Sequence, residues 1–155
     1  MSKINSEKLS HYAVVVIALT AVFISLWQGR LMQKHNELTV RPYFNFSKNW
    51  QDIDGRNYFT LELANQGYGP AIILEYTITV NGKKFNSWPE AFREVGMDNL
   101  VTQSSTYDPG DVWAANQKQY ILSLNDFTPE MSKNMVLRIR FKSIYDEEFK
   151  AEMTL

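Results

Sequence analysis

Residues Tyr12 to Trp27 read YAVVVIALTAVFISLW, sixteen positions without a charged side chain. A helix that is apolar on every side has no water-facing stripe, so it belongs in hydrocarbon and not on the surface of a soluble domain. A bilayer core of about 30 Å takes about 20 helical residues. The run reaches that length once Leu9 is included and Lys8 and Arg30 extend their charged ends outward. Tyr12 and Trp27 stand at its two ends, where amphipathic rings favour the membrane interface. Lys3 and Lys8 before an apolar core also fit a secretory signal, but Ile24-Ser25-Leu26-Trp27 puts bulky residues where cleavage needs small ones. The segment therefore reads as an uncleaved anchor.

The helix is expected to continue through Gln28–Glu37 and to stop at Thr39-Val40, because Pro42 forces the residue before it into extended geometry. Ala21, Ser25 and Gly29 recur at four-residue spacing, the small-residue pattern that lets membrane helices approach one another. The chain thus divides into an amino-terminal tail (1–11), a transmembrane helix with its extension (12–38) and a soluble domain (39–155). Lys3, Lys8 and the terminal amine flank the span on one side, and Arg30, Lys34 and Arg41 with His35 flank it on the other, so the two sides are almost balanced. Cations near a span stay in the cytoplasm, which favours a cytoplasmic over a periplasmic domain. The absence of cysteine is compatible with either side.

From Arg41 the pattern changes to β. Pro42–Phe46 begins a strand, Tyr58–Leu63 alternates with period two, and Ile72–Val80 is rich in β-branched and aromatic residues. Asn81-Gly82 and Asp54-Gly55 supply residues that tolerate positive φ in tight hairpins, with Lys83–Phe85 returning after the first of them. Ser87-Trp88-Pro89-Glu90 has capping-box spacing and opens a short helix whose apolar face is Ala91, Phe92 and Val95, with Gly96 as its stop. Strands resume over Leu100–Tyr107 and Gln119–Leu124, joined by a turn at Asp108-Pro109-Gly110. At the end, Leu137, Ile139 and Phe141 alternate with Arg138, Arg140 and Lys142. Phe149, Ala151 and Met153 alternate in turn with Glu148, Lys150 and Glu152. An odd-length loop between these strands puts both apolar sets on one face. The expected fold is an N-terminal transmembrane α-helix followed by a mainly-β domain, an antiparallel β-sandwich of seven to eight strands with one short helix.

The chemistry such a domain can host is narrow. Without cysteine there is no thiol catalysis, thiolate metal site or disulfide. The two histidines, His11 and His35, both fall on the anchor helix, which leaves none for a triad or a His-based metal site in the sandwich. Neither G-x-x-x-x-G-K nor G-x-G-x-x-G occurs. Gln66-Gly67-Tyr68-Gly69-Pro70 reads as a turn between strands. No catalytic residue, metal or cofactor is expected, and the chain does not read as an enzyme. From Leu38 onward there are 12 Lys and Arg against 15 Asp and Glu, a net of −3. General DNA or RNA binding, which rests on phosphate neutralisation, is not expected of an acidic domain. Trp50, Trp88 and Trp113 lie in or near loops, where core packing is the default for so large a ring.

Two stretches carry a resemblance. Trp27-Gln28-Gly29 is followed by Lys34-His35-Asn36-x-Leu38-x-Val40-Arg41-Pro42-Tyr43-Phe44 and later by Asn65-x-Gly67-x-Gly69-Pro70-Ala71. This order resembles a group of small uncharacterised bacterial single-pass membrane proteins with an HNxLxVRPxF stretch after the span and an NxGxGPA loop in a β domain. Glu37 departs from the basic residue often found there. The resemblance implies a β-sandwich anchored in the bacterial inner membrane and brings no activity with it.

Two functions fit. The first is an anchored module that binds a protein partner or its own copies at the membrane as a homo-oligomer. The second is a signal-gated antiviral effector, of the layout associated with type III CRISPR or related defence, whose cytoplasmic domain binds a cyclic oligonucleotide and whose spans disturb the bilayer. The second needs a basic cleft at a subunit interface, where symmetry multiplies a few cations, and Lys83, Lys84, Arg93, Arg138, Arg140 and Lys142 are the candidate ligand-binding cations. For the anchor itself, the full chain should sediment with membranes, while a chain beginning at Leu38 should remain folded in solution without detergent. Recovery of the full chain in the soluble fraction would contradict the assignment.

Overall fold

The computed structural model describes residues 6–132 and 134–155, so Lys3 of the amino-side flank and the first part of the 1–11 tail lie outside the described residues. The chain forms two compact units, one ending at Thr39 and the other running Val40–Leu155.

The first unit is α1 (Ser6–Thr39), 34 residues long, or about 50 Å at 1.5 Å per residue. Its stretch Lys8–Thr39 is long and apolar enough to cross a membrane, and none of its apolar window is buried within the protein. The hydroxyls inside the helix are satisfied locally. Thr20 Oγ1 donates to the Val16 carbonyl and Ser25 Oγ to the Ala21 carbonyl, both at 2.8 Å. Thr39 Oγ1 donates to the His35 carbonyl at 2.6 Å, at the terminus that the β-branched pair and Pro42 impose.

The second unit is a two-sheet antiparallel sandwich. One sheet has the order β1 (Phe44–Ile53), β2 (Arg56–Asn65), β7 (Lys118–Asn125), β5 (Val101–Ser104). The other has the order β4 (Lys83–Phe85), β3 (Ala71–Val80), β8 (Met135–Lys142), β9 (Glu148–Thr154), with the two-residue β6 (Val112–Trp113) pairing with β3. That short bridge makes nine strands among the described residues, and the stretch expected to be strand over Leu100–Tyr107 is shorter at both ends, with Leu100 in a 3₁₀ turn and the strand ending at Ser104. Both expected hairpins form. Asp54 and Gly55 sit at φ 54° and 76°, and Asn81 and Gly82 at 50° and 83°.

Two bulges decide which side chains reach the core. In β3 the register shifts between Ile73 and Glu75, so the inward set changes from Ala71 and Ile73 to Tyr76, Ile78 and Val80. Opposite β2, a shift between Leu61 and Glu62 leaves Ile121 and Leu122 of β7 both buried. Phe59, Leu61 and Leu63 of β2 and Leu137, Ile139 and Phe141 of β8 belong to one buried core between the sheets.

The helix α2 (Trp88–Glu94) closes one flank of the sandwich, beside β3, β4 and β5. It sinks Trp88, Ala91 and Phe92 to zero exposure. The expected capping box is not made, because the Ser87 side chain caps no backbone amide. The helix is held instead by burial and by Trp88 Nε1, which donates to Tyr76 Oη at 2.8 Å. Trp113 is also buried in the core, and Trp50 lies on β1 with its ring stacked 5.7 Å from Phe127.

The terminal hairpin has the register its alternation implies, with Leu137 opposite Met153, Ile139 opposite Ala151 and Phe141 opposite Phe149. Ser143 organises its loop, accepting at Oγ from the Tyr145 and Glu147 amides. Ile139→Ala and Phe141→Ala should each cost about 2–5 kcal/mol in denaturant melts, since both side chains are buried in the core. Arg140→Ala, on the solvent face, should cost less than either. The opposite order would mean the faces are reversed.

Candidate functional site

The six candidate cations do not converge on one cleft within the chain. Lys83 pairs with Glu94 of α2 at 2.8 Å, while its neighbour Lys84 lines a small cleft with Glu75 and Tyr107. Consecutive strand residues point to opposite faces, so the pair at the Asn81-Gly82 turn is split. Arg93 lies exposed in the last turn of α2. Arg138, Arg140 and Lys142 share the outer face of β8, each engaged with carboxylates. Arg138 meets Glu152 at 3.1 Å, Arg140 meets Glu148 at 3.0 Å and Glu75 at 3.3 Å, and Lys142 meets Asp146 at 2.6 Å.

The electrostatics follow from these pairs. The Thr77 hydroxyl, with the Arg140 guanidinium, holds the Glu75 carboxyl below its usual range. Lys150 and then Arg138 do the same for Glu152, and Glu148 with Glu75 raises Arg140. Burial pushes the Tyr107 phenol up to about 12. Tyr12 and Trp27 are exposed near the ends of the apolar run on α1, with Ala21, Ser25 and Gly29 between or beside them. Among the described residues no cluster of three or more His, Asp or Glu could hold a metal ion.

The more developed feature lies on the flank opposite α2, where the edge strands β1 and β9 border a cleft of about 620 Å³. Its walls are Tyr43, Phe44 and Phe46 on one side and Phe149, Ala151 and Met153 on the other, with Phe141 at its base. Phe44 packs on Phe141 at 4.3 Å between ring centroids, and Phe141 on Phe149 at 5.6 Å. The Arg41 guanidinium covers Phe149 at 4.6 Å, within cation–π reach.

What places Arg41 and Phe44 here is Asn65, at the end of β2 and only 1% exposed. Its Oδ1 accepts from the Tyr43 amide at 3.0 Å and from the Gly67 amide at 3.1 Å. Its Nδ2 donates to the Gly69 carbonyl at 2.9 Å and to the Ala114 carbonyl at 3.1 Å. Every hydrogen-bonding position of the amide is used. A Cβ on Gly69 would collide with the Val40 carbonyl, and one on Gly67 with the Arg41 carbonyl and Tyr43 amide. The Arg41-Pro42-Tyr43 stretch and the Asn65–Gly69 stretch are therefore two halves of one contact. The turn between them and β3 is the crossing from one sheet to the other.

The free edge of β9 can be read from its ladder. The Leu155 amide donates to the Met135 carbonyl and the Ser143 amide to the Glu147 carbonyl, both in the register of the hairpin. Antiparallel pairs alternate. Phe149, Ala151 and Met153 thus direct their backbone groups at β8, while Glu148, Lys150, Glu152 and Thr154 direct theirs away from it. The Thr154 carbonyl accepts from Lys48 Nζ of β1. The cleft escaped sequence reasoning because its walls come from opposite ends of the domain, although the Arg41–Phe44 and Asn65–Gly69 signals both lead to it.

No protein-family model matches the chain, and no curated protein sequence matches it. Asn65→Leu should destabilise the domain by about 2–4 kcal/mol, because it strands buried amides and carbonyls together. Asn65→Asp should not restore it, since a carboxylate cannot donate to the Gly69 and Ala114 carbonyls. A melt of Asn65→Asp matching the parent would refute this role.

Proposed function

We propose that this chain is a membrane-anchored interaction module, without catalytic function, that binds a protein strand along the flank bounded by β1 and β9. The observation that carries the reading is the asymmetry of the sandwich. One flank is closed by α2 with Trp88 and Phe92 fully buried, while the other keeps an apolar cleft between two edge strands. Edge strands offer unpaired amides and carbonyls to any extended chain, and proteins that do not use them cover or blunt them. The long apolar helix supports a single-pass anchor, and the flanking cations support a cytoplasmic domain at a bacterial inner membrane. The resemblance to the bacterial single-pass group supports the same reading, since its two stretches meet at the wall of this cleft.

The cyclic-oligonucleotide reading draws less support. Lys83, Arg138, Arg140 and Lys142 are each held by a carboxylate, and those contacts would compete with phosphate. Calorimetric titration with cyclic oligoadenylates at near-physiological salt decides this point, and tight binding would favour the effector reading.

The flank is tested with a photo-crosslinking amino acid at Ala151 in the full chain in bacterial membranes. A discrete protein adduct is expected, and Lys150→Pro should abolish it. Proline there removes an amide directed away from β8, so the hairpin ladder and the thermal melt should survive. An adduct unchanged by Lys150→Pro, or none at all, would contradict the reading.

A further inference from the structure

Resting on that reading, we infer that the strand taken up along this flank is β9 of a second copy, paired antiparallel about a two-fold axis at Ala151. The sequence of β9 is Glu148-Phe149-Lys150-Ala151-Glu152-Met153-Thr154. Turned upon itself with Ala151 opposite Ala151, it sets Lys150 against Glu152 of the other copy and Glu152 against Lys150. Phe149 then faces Met153, and Met153 faces Phe149. Both the charged and the apolar positions are self-complementary, as a two-fold interface requires.

The backbone agrees with this register independently of the side chains. Lys150 and Glu152 are the residues whose amides and carbonyls point away from β8. In the Ala151-centred register they oppose each other and exchange both hydrogen bonds, while Ala151 forms the close pair that needs none. Shifting the centre by one residue puts Lys150 against Lys150 or Glu152 against Glu152, so the charges disfavour the neighbouring registers. Registers centred between two residues oppose outward-directed residues to inward-directed ones and lose the ladder.

The cleft supplies the remaining requirement. Phe149, Ala151 and Met153 are only partly buried and border it. In the pair, the same three residues of the second copy lie on the same face of the extended sheet. Their side chains reach the space beside the buried Phe44 and the partly buried Phe46. A seven-residue strand pair is a small interface. Anchoring both copies in one bilayer raises their effective concentration enough for such a contact to form.

The chain contains no cysteine, which makes the test direct. Across a close antiparallel pair the two Ala151 Cα atoms would be about 4.5 Å apart, inside the roughly 4.4–6.8 Å span of a disulfide. Two Phe149 residues would be offset by about 14 Å along the strands. Full-length Ala151→Cys in isolated membranes should therefore give a disulfide-linked dimer on mild oxidation. Phe149→Cys should give at most about a tenth as much, and the Phe149→Cys, Met153→Cys double variant should restore it. Adding Lys150→Glu to Ala151→Cys should cut the dimer several-fold, and adding Glu152→Lys as well should recover it, with thermal melts confirming that each variant folds. Equal dimer from Phe149→Cys and Ala151→Cys, or none from Ala151→Cys, would overturn the proposal. If Ala151→Cys stays monomeric while the photo-crosslinker at 151 captures a different protein in a manner blocked by Lys150→Pro, the second copy is wrong and the strand-binding flank stands. If neither probe yields an adduct, both fall.

Discussion

The side-chain amide of Asn65 is the contact on which the arrangement of the domain depends. It joins the segment entering β1, the inter-sheet turn and the loop before β7 through four hydrogen bonds. None of these segments is itself in a ladder at that point, so each has backbone groups that burial would leave unsatisfied. Asparagine is suited to the position because it accepts at one end and donates at the other. Gly67 and Gly69 then let the chain from Val40 to Tyr43 pass within backbone contact of the turn. Fixing that passage fixes where Phe44 enters the core and where Arg41 rests on Phe149.

From there the packing is continuous. Phe44 touches Trp113 and Phe141, Trp113 touches Tyr107, and Tyr107 touches Tyr76, which accepts from Trp88 of α2. The rings run from the β1–β9 flank to the helix-covered one. The two flanks differ in what closes them. On one, α2 supplies large side chains that fill the gap between sheets. On the other, the strands end in an apolar cleft with charged residues along the rim, an arrangement that a neighbouring strand can complete.

Much of this was legible in the sequence. The anchor was plain from a run without charge, the hairpins from Asn81-Gly82 and Asp54-Gly55, and the terminal hairpin from the alternation of Leu137, Ile139 and Phe141 with Arg138, Arg140 and Lys142. The bulge beside Ile73 was not legible. An unbroken β-rich stretch such as Ile72–Val80 gives no sign of where its inward set changes parity, and that change depends on pairing with β8. Ser87 and Glu90 had the spacing of a capping box, but burial of Trp88 and Phe92 holds the helix without it. The site was the least accessible part. Cation counts drew attention to Lys83 and Arg138, whereas the cleft is made by apolar residues more than a hundred positions apart whose proximity only the sandwich creates.

If the outward edge of β9 is a pairing surface in the membrane-bound protein, its backbone amides report on that directly. Within the chain, the Ala151 amide is directed to β8 and the Lys150 and Glu152 amides are directed away from it. Residue-resolved hydrogen exchange on the full chain in bilayers distinguishes the two situations. A paired edge gives slow exchange at Lys150 and Glu152, comparable with that at Ala151. Rapid exchange at Lys150 and Glu152 beside a protected Ala151 would show a bare edge strand and contradict it.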